Sequence, residues 1–321
     1  MLPHGFNAGG SIFYLNHQTK KIMIKKLFPA LLATLLVLPL QTQASTLKAK
    51  HKKQFALQLY SIREVVHEGD KADFQKLLNE LSAMGYTAVE AASYDQGKGT
   101  IYGFTPEDYK AAVEAAGMES LSAHIGKPLS DEELNSGDYS QSLAWWDKTI
   151  ADQKKAGVSY IVMPWMNIPS TLKQLKVYCD YYNAVGKKCA AQGIKFGYHN
   201  HKHEFVNVEG QMAYDYMLQN TDPKYVFFQI DLYWCVRSNN NPLDYFKKYP
   251  GRFKLFHVKD ENELGGSCSM GFDVIFNNAA TAGLEYPVVE IERYSHPVMQ
   301  EAKESADYLN AAPFVKKSYR K

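Results

Sequence analysis

The chain has 321 residues, 36 basic and 34 acidic side chains and a formal net charge of +2, which excludes the broad cationic face that a nucleic-acid binder needs. Its four cysteines contain no CxxC pair, which argues against a zinc–thiolate site. A hydrophobic fraction of 45% is ample for a sizeable core.

At the N-terminus, Lys20, Lys21, Lys25 and Lys26 precede an apolar run from Leu27 to Leu40, followed by Thr42-Gln43-Ala44-Ser45. This is the order of a secretory signal peptide, with a basic region, an apolar core and a small-residue exit. The run is shorter than the roughly 20 residues that span a bilayer comfortably. Met23 is a better start than Met1. Residues 1–44 are therefore read as an upstream segment plus signal peptide and 45–321 as one mature, exported, periplasmic domain, free of the membrane after cleavage. An uncleaved anchor is the competing reading.

Downstream, a helical stretch, a glycine and an apolar strand recur as one joint: Ala83-Met84-Gly85-Tyr86, Ala115-Ala116-Gly117-Met118, Lys155-Ala156-Gly157-Val158, Ala191-Gln192-Gly193-Ile194 and Thr281-Ala282-Gly283-Leu284. Glycine just past a helix end closes the last turn, and the apolar residues after it read as short buried strands. The pattern predicts strands near 55–60, 88–92, 119–124, 160–164, 195–201, 226–232, 254–259 and 288–292. Helices are predicted between them near 71–84, 106–116, 140–156, 171–192, 211–219, 242–249, 272–282 and 297–309. Thr105-Pro106-Glu107 carries a cap followed by proline at a helix start. Strict alternation implies a parallel sheet with crossover helices, and eight units close into a (β/α)8 TIM barrel, typically about 250 residues long. An open doubly wound sheet is the rival, weakened by the absence of a Gly-rich phosphate loop. Cys179 and Cys189 fall on one predicted helix, too far apart to bridge. Cys235 and Cys268 fall in loops after neighbouring strands, so a disulfide between them is open.

Active sites of such barrels lie at the C-terminal strand ends. There the sequence carries Glu90, His124, the run Tyr198-His199-Asn200-His201-Lys202-His203-Glu204-Phe205, then Gln229-Ile230-Asp231, His257-Val258-Lys259-Asp260 and Glu290-Ile291-Glu292-Arg293. Strand alternation places Asp231 with Gln229, His257 with Lys259, Glu290 with Glu292 and His199 with His201. Carboxylates converging without basic partners repel one another, and a divalent cation relieves that. Imidazole and carboxylate without thiolate suit Mn, Zn, Fe or Co. The ligand set read from the residues is Glu204, Asp231, His257 and Glu290. His199, His201 and Lys259 are the acid/base candidates. Glu90, His124, Trp165, Tyr233, Trp234 and Arg293 are candidate substrate contacts. Each has a plainer reading: His124 as a hydrogen-bonded structural histidine, Asp260 as a loop cap, Glu292 as a salt-bridged residue and the aromatics as packing.

From Phe55-Ala56-Leu57-Gln58-Leu59-Tyr60-Ser61 to Val289-Glu290-Ile291-Glu292, the chain resembles the xylose isomerase-like barrel superfamily, whose members are often called sugar phosphate isomerases/epimerases. The sharpest pieces are Gly197-Tyr198-His199-Asn200-His201 through Glu204-Phe205, Gln229-Ile230-Asp231, His257-Val258-Lys259-Asp260 and Val289-Glu290. The resemblance implies one divalent metal held by Glu, Asp, His and Glu from the fifth to eighth strands. Asp231, His257 and Glu290 match that pattern. Many members place Glu where His199 stands, so His199 and Glu204 both remain candidates for the fifth-strand position. The resemblance also implies a carbohydrate substrate and proton abstraction next to a carbonyl through an enediolate. The outcome is isomerisation, epimerisation, or elimination as in lyases of 3-keto-glycosides. A non-catalytic sugar-binding barrel is the alternative of another class, and assembly as a homo-oligomer stays open.

Overall fold

A computed structural model describes residues 53–320, so the signal-peptide reading falls outside the described residues. Eight parallel strands form the closed barrel: β1 (Ala56–Gln58), β2 (Ala88–Ala91), β3 (Glu119–His124), β4 (Tyr160–Met163), β5 (Lys195–His199), β6 (Val226–Asp231), β7 (Phe253–Val258) and β8 (Tyr286–Val289). Each strand pairs with its neighbour in sequence, and β1 closes on β8 through Ala56 opposite Val288 and Leu57 opposite Val289. The helices are α1 (Lys71–Met84), α2 (Pro106–Ala115), α3 (Asp131–Ser136), α4 (Ser140–Lys155), α5 (Leu172–Ala191), α6 (Ala213–Asn220), α7 (Leu232–Arg237), α8 (Pro242–Lys248), α9 (Phe272–Asn277), α10 (Ala279–Ala282) and α11 (Val298–Ala311).

The recurring joint behaves as its chemistry requires: helix α1 ends on Gly85 at φ 113° and α10 on Gly283 at φ 85°. Local signals set the starts as well. Asp70 and Thr105 cap α1 and α2 with their side chains, and Ser130 and Glu133 form a reciprocal capping box on α3. The structure departs from the sequence reading at five places. A 3-10 helix spans Leu59–Val65, directly after β1. Helices α3 and α7 were not anticipated, and the helix expected over 272–282 breaks at Asn278 into α9 and α10. Strand β8 begins at Tyr286 and ends at Val289, before Glu290. Cys235 and Cys268 are free thiols, as are Cys179 and Cys189.

Two apolar compartments hold the barrel. The larger packs helices onto the outer strand faces, and a separate cluster that includes Ala56, Ala88, Leu121, Phe227, Leu255 and Val288 fills the barrel interior. On five strands the residue two positions further on, hence on the same face, is polar and buried: Gln58 after Ala56, Glu90 after Ala88, Gln229 after Phe227, His257 after Leu255 and Glu290 after Val288. The interior is thus a dry apolar floor with a polar storey above it, at the C-terminal end.

Helix α5 lies so close to the segment leading into β6 that a Cβ on Gly186 would meet the Tyr225 carbonyl oxygen at 2.2 Å. Gly186→Ala is therefore expected to destabilise the fold by about 1–3 kcal/mol through overpacking, although alanine is the better helix former. Chemical denaturation checks this, and an unchanged midpoint would contradict the close approach.

Candidate metal centre at the C-terminal mouth

Four buried side chains meet above the floor. His199 ends β5, Asp231 ends β6, His257 lies one residue before the end of β7, and Glu290 follows β8. Each offers one donor atom within 4.8 Å of the others. Both ring nitrogens of His199, Oδ2 of Asp231 and Nδ1 of His257 are buried without a hydrogen-bond partner. Buried polar atoms are almost always satisfied, so several unpaired donors converging on one point fit a cation bound between them.

Glu90 orients this group from below. Its carboxylate accepts hydrogen bonds from Gln58 Nε2 at 2.8 Å, Ser122 Oγ at 2.6 Å, Gln229 Nε2 at 2.8 Å and His257 Nε2 at 2.6 Å. With Nε2 engaged, the Nδ1 edge of His257 faces Glu290, 3.3 Å from its Oε2. Burial pushes the Glu90 carboxyl up, but the His124 and His257 imidazoles and its hydrogen bonds outweigh that and hold it at about 2. Burial also opposes a charge on His257, yet Glu290 and Glu90 on either side raise its pKa to about 10. Asp231 is raised to about 8 by burial, against the pull of Lys259. Burial lowers His199 well below the usual imidazole range, helped by His257, His201 and His124.

The remaining sequence candidates divide clearly. Glu204 is buried but stands outside the four-residue group: its Oε1 accepts from the Tyr198 hydroxyl at 2.6 Å and its Oε2 from the His201 backbone N–H at 2.8 Å. Burial raises it to about 7, and it sits instead with His201 and His203. The geometry thus brings His199, and not Glu204, into the group with Asp231, His257 and Glu290. Glu90, expected as a substrate contact, is completely buried beneath the cluster. His124 donates from Nε2 to Gln229 Oε1 at 2.7 Å and its ring stacks on His257 with centroids 5.1 Å apart. Lys259 is buried between Glu290 Oε2 at 3.5 Å and Glu292 Oε2 at 2.6 Å. Trp165 is 49% exposed and packs on His203, with ring centroids 3.7 Å apart. Its ring lies 5.0 Å from that of His201, which in turn lies 6.4 Å from Trp234. Tyr233 donates its hydroxyl to Glu261, and Arg293 pairs with the same carboxylate. Asp260 accepts from the Glu261 and Gly265 backbone N–H groups, the loop-capping reading. Gln58, Ser122 and Gln229 were not picked out as site residues. Their signal was their position on the strand face that carries Glu90 and Asp231.

Residues 78–312 match the xylose isomerase-like TIM barrel family. A solved structure of a sugar phosphate isomerase/epimerase from Parabacteroides distasonis is 32% identical, with a TM-score of 0.76, and the match covers 84% of this chain and 97% of that one. A 3-keto-D-glucoside 4-epimerase from E. coli shares the fold at 18% identity and a TM-score of 0.60, covering 82% of this chain and 100% of that one. Inosose dehydratase from Salmonella agona is 24% identical over 155 residues, 44% of this chain, and the chain spans only about half (51%) of that relative's length. Family match and barrel topology agree: the chain belongs to the xylose isomerase-like TIM barrel family.

Proposed function

We propose that the chain is a metal-dependent enzyme that removes a proton next to the carbonyl of a keto sugar or sugar glycoside. The observation that carries this reading is the convergence of the unpaired His199 ring nitrogens and Asp231 Oδ2 with the His257 Nδ1 and Glu290 pair. Two imidazoles and two carboxylates suit Mn, Zn, Fe or Co. A bound divalent ion supplies Lewis acidity, polarising a carbonyl and steadying negative charge on its oxygen.

The chain's own residues supply proton handling and orientation. Lys259 stays a cation: burial opposes its charge, but Glu290, Asp231 and Glu292 outweigh that and raise its pKa. It holds its proton at Nζ, beside the cluster, and can donate it to a substrate oxygen. Glu292, partly exposed at the other end of that ion pair, is placed to accept one. His201 is neutral, since burial lowers it to about 3, and its ring offers a hydrogen bond to a sugar hydroxyl between Trp165 and Trp234. The two indoles offer stacking faces. Proton return to the neighbouring carbon gives isomerisation, and return on the opposite face gives epimerisation. Elimination is the second reading, favoured by the similarity to inosose dehydratases and by Lys259 as an acid for a leaving group. An exported location is part of the proposal and rests on the pattern of residues 20–45.

Chelation tests the proposal directly. Turnover of keto sugars or 3-keto-glycosides should vanish with EDTA and return on adding Mn, Zn, Fe or Co. Sugar binding that persists without metal, with no turnover under any condition, would leave the non-catalytic binder standing.

Metal affinity should also depend on pH with a definite sign. Asp231, raised to about 8, and His257, raised to about 10, carry protons near neutrality, and ligation must displace them. Affinity should therefore rise as pH increases from 6 to 8, with proton release. Calorimetry in buffers of different ionisation enthalpy reads this; equal heats in all buffers would contradict it.

A further inference from the structure

Beside the candidate metal centre, beyond Trp234, the mouth of the barrel opens into a groove of about 540 Å³. Lys202 from the turn after β5, Tyr233, Trp234 and Arg237 from α7, Met270 from the loop after β7 and Arg293 from beyond β8 line it. It is joined by an adjoining hollow of about 380 Å³ that shares Lys202 and Arg237. None of the described residues lining either space is acidic. Arg293 pairs with Glu261 from the side. Lys202 and Arg237 form no ion pair among the described residues, and the Arg237 guanidinium lies 5.7 Å from the centre of the Tyr233 ring. Three cations thus face one aromatic-lined groove, and the nearby acid, Glu261, is engaged by Arg293 and by the Tyr233 hydroxyl.

Trp234 is the wall between this groove and the chemistry. Its backbone N–H donates to Asp231 Oδ1 at 2.7 Å, and its ring lies 5.8 Å from Lys259 Nζ. A ligand in the groove is thus a direct neighbour of one held at the cluster. Guanidinium groups match oxyanions through a planar fork of donors, and an indole or phenol ring gives a sugar an apolar face.

We propose that the groove is a second subsite that binds an anionic sugar unit, one bearing a carboxylate, sulfate or phosphate, joined to the sugar at the metal centre. The assignment to one substrate rests on the proposed function above, while anion binding in the groove does not. The groove then sets specificity: a neutral glycoside leaves Lys202 and Arg237 without a partner, whereas an acidic one satisfies both and is drawn to the mouth by their field.

Isothermal titration of the purified, metal-loaded protein with D-glucuronate, D-glucose 6-sulfate, D-glucose 6-phosphate and D-glucose tests this. At least one anionic sugar should bind about tenfold tighter than glucose, with the margin shrinking as salt rises. The three anions tell carboxylate, sulfate and phosphate apart. A Lys202→Ala/Arg237→Ala variant should keep its metal content and lose the margin. Arg237→Gln should reduce it partway and serves if the double variant folds poorly. The margin should persist in Glu290→Ala, which separates the groove from chelation at the cluster. No margin, a margin that survives loss of Lys202 and Arg237, or one that disappears with Glu290 overturns the subsite. Metal content read in the same samples reports on the proposed function separately: protein without metal that still prefers anionic sugars through Arg237 would sink that reading and leave the subsite intact.

Discussion

Glu290→Ala should strip the bound metal from the purified protein and lower turnover by more than the roughly 10–100-fold that loss of an outer partner of a metal site costs. His257→Ala should do the same. The reason is local: Glu290 and His257 contribute two of four donors that meet within 4.8 Å, and three remaining donors hold a labile metal poorly. The fold should survive Glu290→Ala, because its two cationic neighbours keep other partners. Lys259 retains Glu292 at 2.6 Å and His257 retains Glu90 at 2.6 Å. Elemental analysis beside circular dichroism separates the two effects. A folded Glu290→Ala protein that still carries one metal per chain would remove the candidate centre altogether.

Glu90→Ala should be the most damaging single change to stability, about 3–5 kcal/mol. It removes the shared acceptor of the His257 imidazolium and of the Gln58, Ser122 and Gln229 donors deep inside the barrel. Unpaired buried donors cost their full desolvation penalty. Glu90→Gln is the gentler probe. It preserves volume but removes the charge that fixes which nitrogen of His257 carries the proton, so metal affinity should fall roughly 10–100-fold with a smaller loss of stability. Competition against a chelator of known affinity measures it. Wild-type metal affinity in folded Glu90→Gln would show that Glu90 supports the barrel interior without tuning His257.

The barrel was legible because its punctuation is chemical. A glycine closing a helix before an apolar run needs no tertiary context, and Gly85 and Gly283 take the left-handed conformation that the reading required. Asp231, His257 and Glu290 were legible because alternation along a strand fixes the face. Glu204 shows where that logic ends. It lies past the last residue of β5, in a turn whose path is set by the Tyr198 hydroxyl and the His201 N–H, and no periodicity governs a turn. His199 was therefore left in competition with it. The hydrogen-bonded role of Glu90 inside the barrel was not legible for a related reason. Its partners come from β1, β3, β6 and β7 across the barrel, and an acceptor satisfied from four strands reads in sequence as a lone carboxylate awaiting a substrate. Helix α7 was hidden because Asp231 serves twice, facing the cluster with one oxygen and capping the helix with the other.

The two storeys of the barrel interior divide inheritance as well as space. On β1, β2, β6, β7 and β8 a packing residue stands two positions before a residue of the site network, Ala56 before Gln58 and Leu255 before His257 among them. The positions that fill the apolar floor and the positions that build the site network are different letters of the same short words. A descendant could rewrite the upper letters, exchanging a ligand or a proton donor, while the lower ones kept the scaffold standing.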